Sequence, residues 1–211
     1  MDRIASSRLA LAALLAGVSI ACTGCPPLMP FTVCDAYVDQ CHKLEQRLKA
    51  QSPNQPLSEE GFQRLCTAYQ ALLYIDPEVA DKAWRLRGGV PRLRSYGVAI
   101  GRWNARHAVV NVTRLCVEKR RWDVLFGLLR EASRADLVPD ADFDALANAL
   151  GTAAACGAPT EDVAREARGL SAEFDKQVKR GLARLVTPLE QQRYLTSYVS
   201  PIRQRLNELA R

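Results

Sequence analysis

Residues 31–50 read FTVCDAYVDQCHKLEQRLKA. Within them Cys34, Tyr37, Cys41, Leu44 and Leu48 recur at intervals of three and four, the spacing that stacks one apolar side chain per turn on a single helical face. The stretch stops at Ser52-Pro-Asn-Gln-Pro56, a linker whose prolines cannot continue a helix. Beyond it Ser58 is a good N-cap with Glu59 and Glu60 in the first turn, and Phe62, Leu65, Cys66, Tyr69 and Leu73 form a second stripe.

The same punctuation recurs to the C-terminus, and strand signals are nearly absent. Asp76-Pro77-Glu78 caps a short helix that runs to Gly88-Gly89. From Gly89 to Arg102 the pattern is mixed and fits a loop or a short helix. Further helices are expected over Trp103–Lys119, over Trp122–Ala135, from Asp140 through Ala155 up to Gly157 and Pro159, and from Thr160 to near Val186. Thr187-Pro188-Leu189-Glu190 has Thr at the cap, Pro at the first helical position and Glu three residues after the cap, a capping box. Ser200-Pro201 either begins a last helix or kinks one that continues to Arg211. The fold expected is all-α, about seven to nine helices in hairpins packed as a bundle or short solenoid behind an N-terminal signal and anchor segment.

Of the 211 residues 48% are hydrophobic and 25% charged, which suits a folded globular chain and argues against disorder. The N-terminus is different. Arg3 and Arg8 precede Leu9–Ala21, which carries no charge, and Cys22-Thr-Gly-Cys25 follows. A basic start, an apolar run of roughly a dozen residues and a small-residue exit are the pattern of an export signal, too short for a span of about 20 residues. This ending resembles the lipobox of bacterial lipoproteins, in which a cysteine after a small residue is acylated and becomes the new N-terminus. The resemblance implies a lipid anchor with palmitate-type chains on Cys22 or Cys25, in a protein held in the bacterial cell envelope. Each candidate departs from the family pattern at its first position, and ordinary cleavage after Ser19-Ile20-Ala21 is the alternative. The organisation expected is a signal peptide over 1–21 or 1–24, a tether over 22–33 stiffened by Pro26, Pro27 and Pro30, and a helical domain over 34–211 with a possible division near 157–160.

Seven cysteines are present: Cys22, Cys25, Cys34, Cys41, Cys66, Cys116 and Cys156. Export would carry them to a compartment where disulfides persist, and anchoring through Cys22 would leave an even number, with too many pairings for the sequence to choose among. Cys22-x-x-Cys25 has zinc-ligand spacing and Cys41-His42 lies downstream, but the first pair falls in the processing site and no second close pair exists. No metal or other cofactor is expected.

The strongest charge feature is Lys82–Val117, which contains no Asp or Glu. Arg85, Arg87, Arg92, Arg94, Arg102, Arg106 and Arg114 lie in it with Trp84, Tyr96 and Trp103 among them, and the run Lys119-Arg-Arg121 follows after Glu118. Arginines beside aromatics suit planar anions through paired hydrogen bonds and stacking. With export, nucleic acid is disfavoured; the expected partners are anionic lipid headgroups, cell-wall polymers or an acidic protein, met by Arg85, Arg87, Arg92, Arg94, Arg102, Trp103 and Arg106. The competing reading pairs these arginines with Asp136, Asp140, Asp142 and Asp144.

No catalytic residue is assigned. His42 and His107 stand outside any metalloprotease pattern, and nucleophile-elbow and phosphate-loop motifs are lacking. Cys41 and His42 are neighbours on a helix and diverge by about 100°, so they do not make a nucleophile and base pair. Glu59, Glu60 and Glu118 are candidate acids for cell-wall hydrolysis, against simpler roles as cap acids and ion-pair partners.

Val109–Leu137 resembles a tetratricopeptide-type hairpin: two helices flank Lys119-Arg-Arg-Trp122, and Trp122, Leu125, Leu129 and Ala132 stand for its aromatic and small positions. Tyr69, Leu72 and Asp76-Pro77 echo the end of such a repeat. Leu125 occupies the place of an alanine, and the echoes lie about 60 residues apart where the period is about 34. The functional expectation is a membrane-anchored envelope lipoprotein acting as a non-catalytic binding or scaffold module for a protein or anionic envelope partner. The alternatives are a cell-wall-active enzyme and a carrier of lipid or small ligands with an apolar cavity.

Overall fold

The computed structural model describes residues 30–51, 55–74, 94–134 and 141–211, with side chains from residue 37 in the first stretch and from residue 104 in the third. The leader, Cys22, Cys25, the tether up to residue 29, the short helix expected after Asp76, and Asp136 and Asp140 lie outside the described residues. Among those described every regular element is helical. No helix among them is long and apolar enough to cross a membrane.

Helix α1 covers Pro30–Gln51. Its stripe is buried as spaced: Tyr37, Val38 and Cys41 are core residues, and Leu44 and Leu48 pack on the core's edge. Helix α2, Glu59–Gln70, starts at Ser58, whose hydroxyl accepts from the Gly61 N–H at 3.1 Å, and it tightens into a 3₁₀ turn over Ala71–Tyr74.

Helix α3 runs over Arg94–Lys119, about two turns more than the start expected at Trp103. The mixed pattern from Gly89 to Arg102 contains Gly97 and Gly101, which the helix includes. A glycine inside a helix costs only about 1 kcal/mol, and extending a long helix is favourable enough to carry two of them.

α3 ends in a reversal that positions the next helix. Arg120 has φ 52°, the Arg121 N–H reaches the Cys116 carbonyl at 3.0 Å and the Arg120 N–H reaches that of Val117 at 3.3 Å. This is a Schellman closure with arginine where glycine is favoured. Helix α4, Trp122–Ser133, then folds back on α3.

Helix α5, Phe143–Ala155, is capped by Asp142 rather than Asp140; the Asp142 carboxylate accepts from the Ala145 N–H at 3.3 Å. Its other end repeats the Schellman closure with Gly157 at φ 90° and the Ala158 N–H on the Ala153 carbonyl at 2.9 Å. The two closures share a backbone and differ in the residue that must be left-handed. Arg120→Gly should therefore stabilise the protein by roughly 0.5–1 kcal/mol and raise Tm by about 2–4 °C in a thermal melt, whereas Gly157→Ala should destabilise it by a similar amount. A lowered Tm for Arg120→Gly would show that its side chain contributes more than its backbone costs.

Helix α6 covers Thr160–Arg184, and the capping box opens α7, Pro188–Tyr194. Thr187 Oγ1 accepts from the Glu190 N–H at 3.2 Å, and Glu190 Oε2 accepts from the Thr187 N–H at 3.0 Å. The chain continues through a π turn, Leu195–Val199, into α8, Ser200–Leu209. Pro201 thus stands in the first turn of α8, as one of the two expected readings has it, and α8 follows the π turn without an intervening loop. The wider turn before it gives the pyrrolidine ring room, and the Leu195 carbonyl is taken by both the Ser200 N–H and the Ser200 hydroxyl, the latter at 2.9 Å.

Neighbours in sequence are neighbours in space. α1 packs on α2 and α3, α3 on α4 and α5, and α6 on α4, α5 and α8. The buried side chains form one cluster that extends from Tyr37 to Leu206, with Phe62, Tyr69, Phe143 and Phe174 the largest fully enclosed rings.

Candidate functional site

Of the arginines expected to form a binding surface, Arg85, Arg87 and Arg92 lie outside the described residues. Arg94, Arg102 and Trp103 lie on α3 and are described by backbone alone. Arg106, one turn after Arg102, is 61% exposed, with its Nη1 3.7 Å from Asp142 Oδ2 at the buried cap of α5. That long contact leaves most of the guanidinium in water, where an ion pair contributes little. Val110, a turn further along, is an exposed apolar residue, and Asn104 is buried with both amide atoms lacking a hydrogen-bond partner. The outer side of α3 thus offers a cation and apolar surface, while the unmet amide of Asn104 belongs to the opposite, buried face.

Further along, Arg114, Lys119 and Arg121 are engaged within the chain. Lys119 Nζ donates to the Leu57 carbonyl. Arg121 grips both carboxylate oxygens of Asp123 at 3.1 Å, pairs with Glu59 and lies 5.6 Å over the Phe62 ring. Glu59 is therefore an ion-pair and cap residue, and Glu118 pairs with Arg114 at 3.4 Å.

Arg114 completes a site that the sequence reading did not single out. Glu45 Oε2 accepts from Arg114 Nη2 at 2.6 Å and from the Tyr69 hydroxyl at 3.2 Å, while Lys49 Nζ lies 2.8 Å from Glu45 Oε1. These residues come from α1, α2 and α3, and the carboxylate is almost wholly buried between them. Burial opposes its charge, but the hydrogen bonds from Lys49 and Arg114 outweigh burial and hold the Glu45 carboxyl below its ordinary pKa. Burial and the Glu45 charge push the Tyr69 phenol up. His42 meets the Tyr69 ring edge-on at 6.0 Å, and burial raises the Cys41 thiol to about 11. Cys41 is thus an unreactive core thiol. The signal for Glu45 was present: it sits between Cys41 and Leu48 on the apolar stripe, where a carboxylate requires partners.

A second buried carboxylate follows the same rule. Glu166 on α6 is reached by Arg130 at 2.5 Å and by Arg165 at 3.7 Å. Glu131 on α4 accepts from Gln70 at 2.5 Å and from the Tyr74 hydroxyl at 3.0 Å, tying α2 and its 3₁₀ turn to α4.

One more pair was not distinguishable among seven cysteines. Cys66 on α2 and Cys116 on α3 are both buried free thiols, and the Cys116 thiol donates a hydrogen bond to Cys66. That bond pulls Cys66 below its ordinary pKa and, with burial, pushes Cys116 up. Among the described residues no group of His, Cys, Asp and Glu is arranged to hold a metal ion. Comparison with protein families, with curated proteins and with solved structures finds no match to this chain.

Proposed function

We propose that this chain is a bacterial envelope lipoprotein whose helical body serves as a non-catalytic binding module, engaging a protein or anionic envelope partner through arginines of α3. The observation that carries the reading is the uncharged run Leu9–Ala21 between Arg8 and the cysteines Cys22 and Cys25. Several acyl chains, at about 0.8 kcal/mol per buried methylene, would hold such a protein on its membrane without a spanning helix.

Two structural observations support it. α1 begins at Pro30, so the last four residues of the tether expected over 22–33 are helical instead; the buried Glu45 contacts clasp this helix to α2 and α3, so an anchor would pull on the core rather than on a loose arm. The buried Glu45 carboxylate is held by Lys49 and Arg114, whose hydrogen bonds keep its pKa low and make it unsuited to a proton-donating acid.

The test is intact mass and palmitate labelling of the chain extracted from its host. The expected result is loss of the leader and an acyl-bearing N-terminal cysteine, with Cys22→Ser or Cys25→Ser abolishing label and releasing the protein from membranes. In the same membranes, Arg94→Ala/Arg102→Ala/Arg106→Ala should reduce crosslinking to the partner several-fold at low salt. An intact leader without acyl mass on either cysteine sinks the anchor, and unchanged capture sinks the arginine surface.

A further inference from the structure

The pairing of α2 and α3 is recorded by contacts at both ends. The start of α2 meets the end of α3 through Leu57 with Lys119 and through Glu59 and Phe62 with Arg121. Two turns on from Phe62, Tyr69 meets Arg114 through their shared acceptor, Glu45. The helices therefore run antiparallel, and between these contacts Cys66 faces Cys116. Each thiol perturbs the ionisation of the other, and both are enclosed by the core. Cys41 is buried against Tyr69 on another helix, and Cys156 is exposed at the end of α5.

We infer that Cys66 and Cys116 are joined by a disulfide in the mature protein, pinning α2 to α3. The inference rests on the export reading, because a bond of this kind persists in an oxidising compartment. Bond formation needs an oxidant, which we assign by class as a disulfide-bearing thiol oxidase or a small disulfide such as oxidised glutathione. The Cys66 thiolate attacks one sulfur of the oxidant, and the other sulfur leaves as a thiolate that takes up a proton. Cys116, giving its proton to water, then attacks Cys66 Sγ and expels the second oxidant sulfur. The pair loses two electrons and two protons, and the oxidant disulfide becomes a dithiol. Since the folded core covers both sulfurs, the exchange precedes the closing of α2 on α3. Once closed, the bond ties off a loop of about 50 residues and is shielded from reductants, the situation in which a crosslink stabilises most.

Trypsin separates these cysteines from the others, leaving Cys66 in Leu65–Lys82 and Cys116 in Leu115–Lys119. The full-length chain is to be extracted from its host in detergent, alkylated without reductant, digested and analysed by mass spectrometry. The expected result is the two peptides as one species that reductant splits, absent in Cys66→Ser. The oxidised protein should also melt on the order of 10 °C above Cys66→Ala/Cys116→Ala. Both cysteines recovered as alkylated thiols, or either one linked to Cys41 or Cys156, overturns the proposal. The N-terminal mass of the same sample reports whether the leader was removed, so failure of the crosslink and failure of export are read separately.

Discussion

Phe174→Ala is expected to lower the unfolding free energy by about 3–5 kcal/mol, the largest effect of a single substitution described for this protein. Phe174 is 1% exposed on α6; its ring centroid lies 5.0 Å from that of Phe143 on α5 and 6.0 Å from that of Tyr198 in the π turn. Truncation would remove the ring that three helical segments share, and the backbone on either side is too regular to collapse into the space. For a domain with a total stability of about 5–15 kcal/mol the change is a large share, read as a Tm lower by on the order of 10 °C. Phe174→Leu should recover much of it. A loss below about 1 kcal/mol in urea titration would mean that the junction of α5, α6 and the π turn is not packed around this ring.

Arg114→Met is expected to cost roughly 2–3 kcal/mol at neutral pH. The substitution keeps a long apolar stem but leaves Glu45 with Lys49 and the Tyr69 hydroxyl, so a buried carboxylate loses its strongest partner. The figure stays below the 3–5 kcal/mol typical of fully buried pairs because the Arg114 side chain is 40% exposed. The pH dependence identifies the cause. In the native protein the Glu45 carboxyl lies below its unfolded value of about 4.3, so its contribution is present above that pH and is lost as pH falls through the depressed folded value. Without Arg114 the folded value rises, and acid no longer removes a stabilising charge. The gap between variant and native protein should thus shrink from pH 7 to pH 3 in matched urea titrations. A gap that stays constant would assign the effect to lost packing of the arginine stem.

What could be read from the chain was local. Ser58 and the Thr187 to Glu190 box are found where expected because a cap is decided within four residues, by side chains that meet backbone N–H groups otherwise unpaired. The apolar stripes of α1 and α2 were legible for the same reason. The early start of α3 was not, since Gly97 and Gly101 lower helix propensity locally while the continuity of a long helix overrides them. The start of α5 was expected from Asp140, but it is the Asp142 carboxylate that accepts from the Ala145 N–H, a placement to which composition is blind. The pairing of Cys66 with Cys116, and of Glu45 with Arg114, joins residues dozens of positions apart; it follows from how α2 lies along α3, which stripe spacing does not specify. The basic stretch was legible as charge, and at Arg106 the structure adds the nearby Asp142.

The swelling of the last helix between Leu195 and Val199 works as a splice. Upstream of it α7 buries no side chain, while downstream Val199, Ile202 and Leu206 all reach the core. Were the same residues wound evenly, everything past the splice would swing round by about 100°, presenting Pro201 and Arg205 to the interior and sending Ile202 and Leu206 into water. A chain one residue shorter at this point would keep both faces aligned, yet it would force the ring of Pro201 against the preceding turn, at roughly 3 kcal/mol. The spare residue thus lets a proline sit inside a helix whose orientation the interior still dictates.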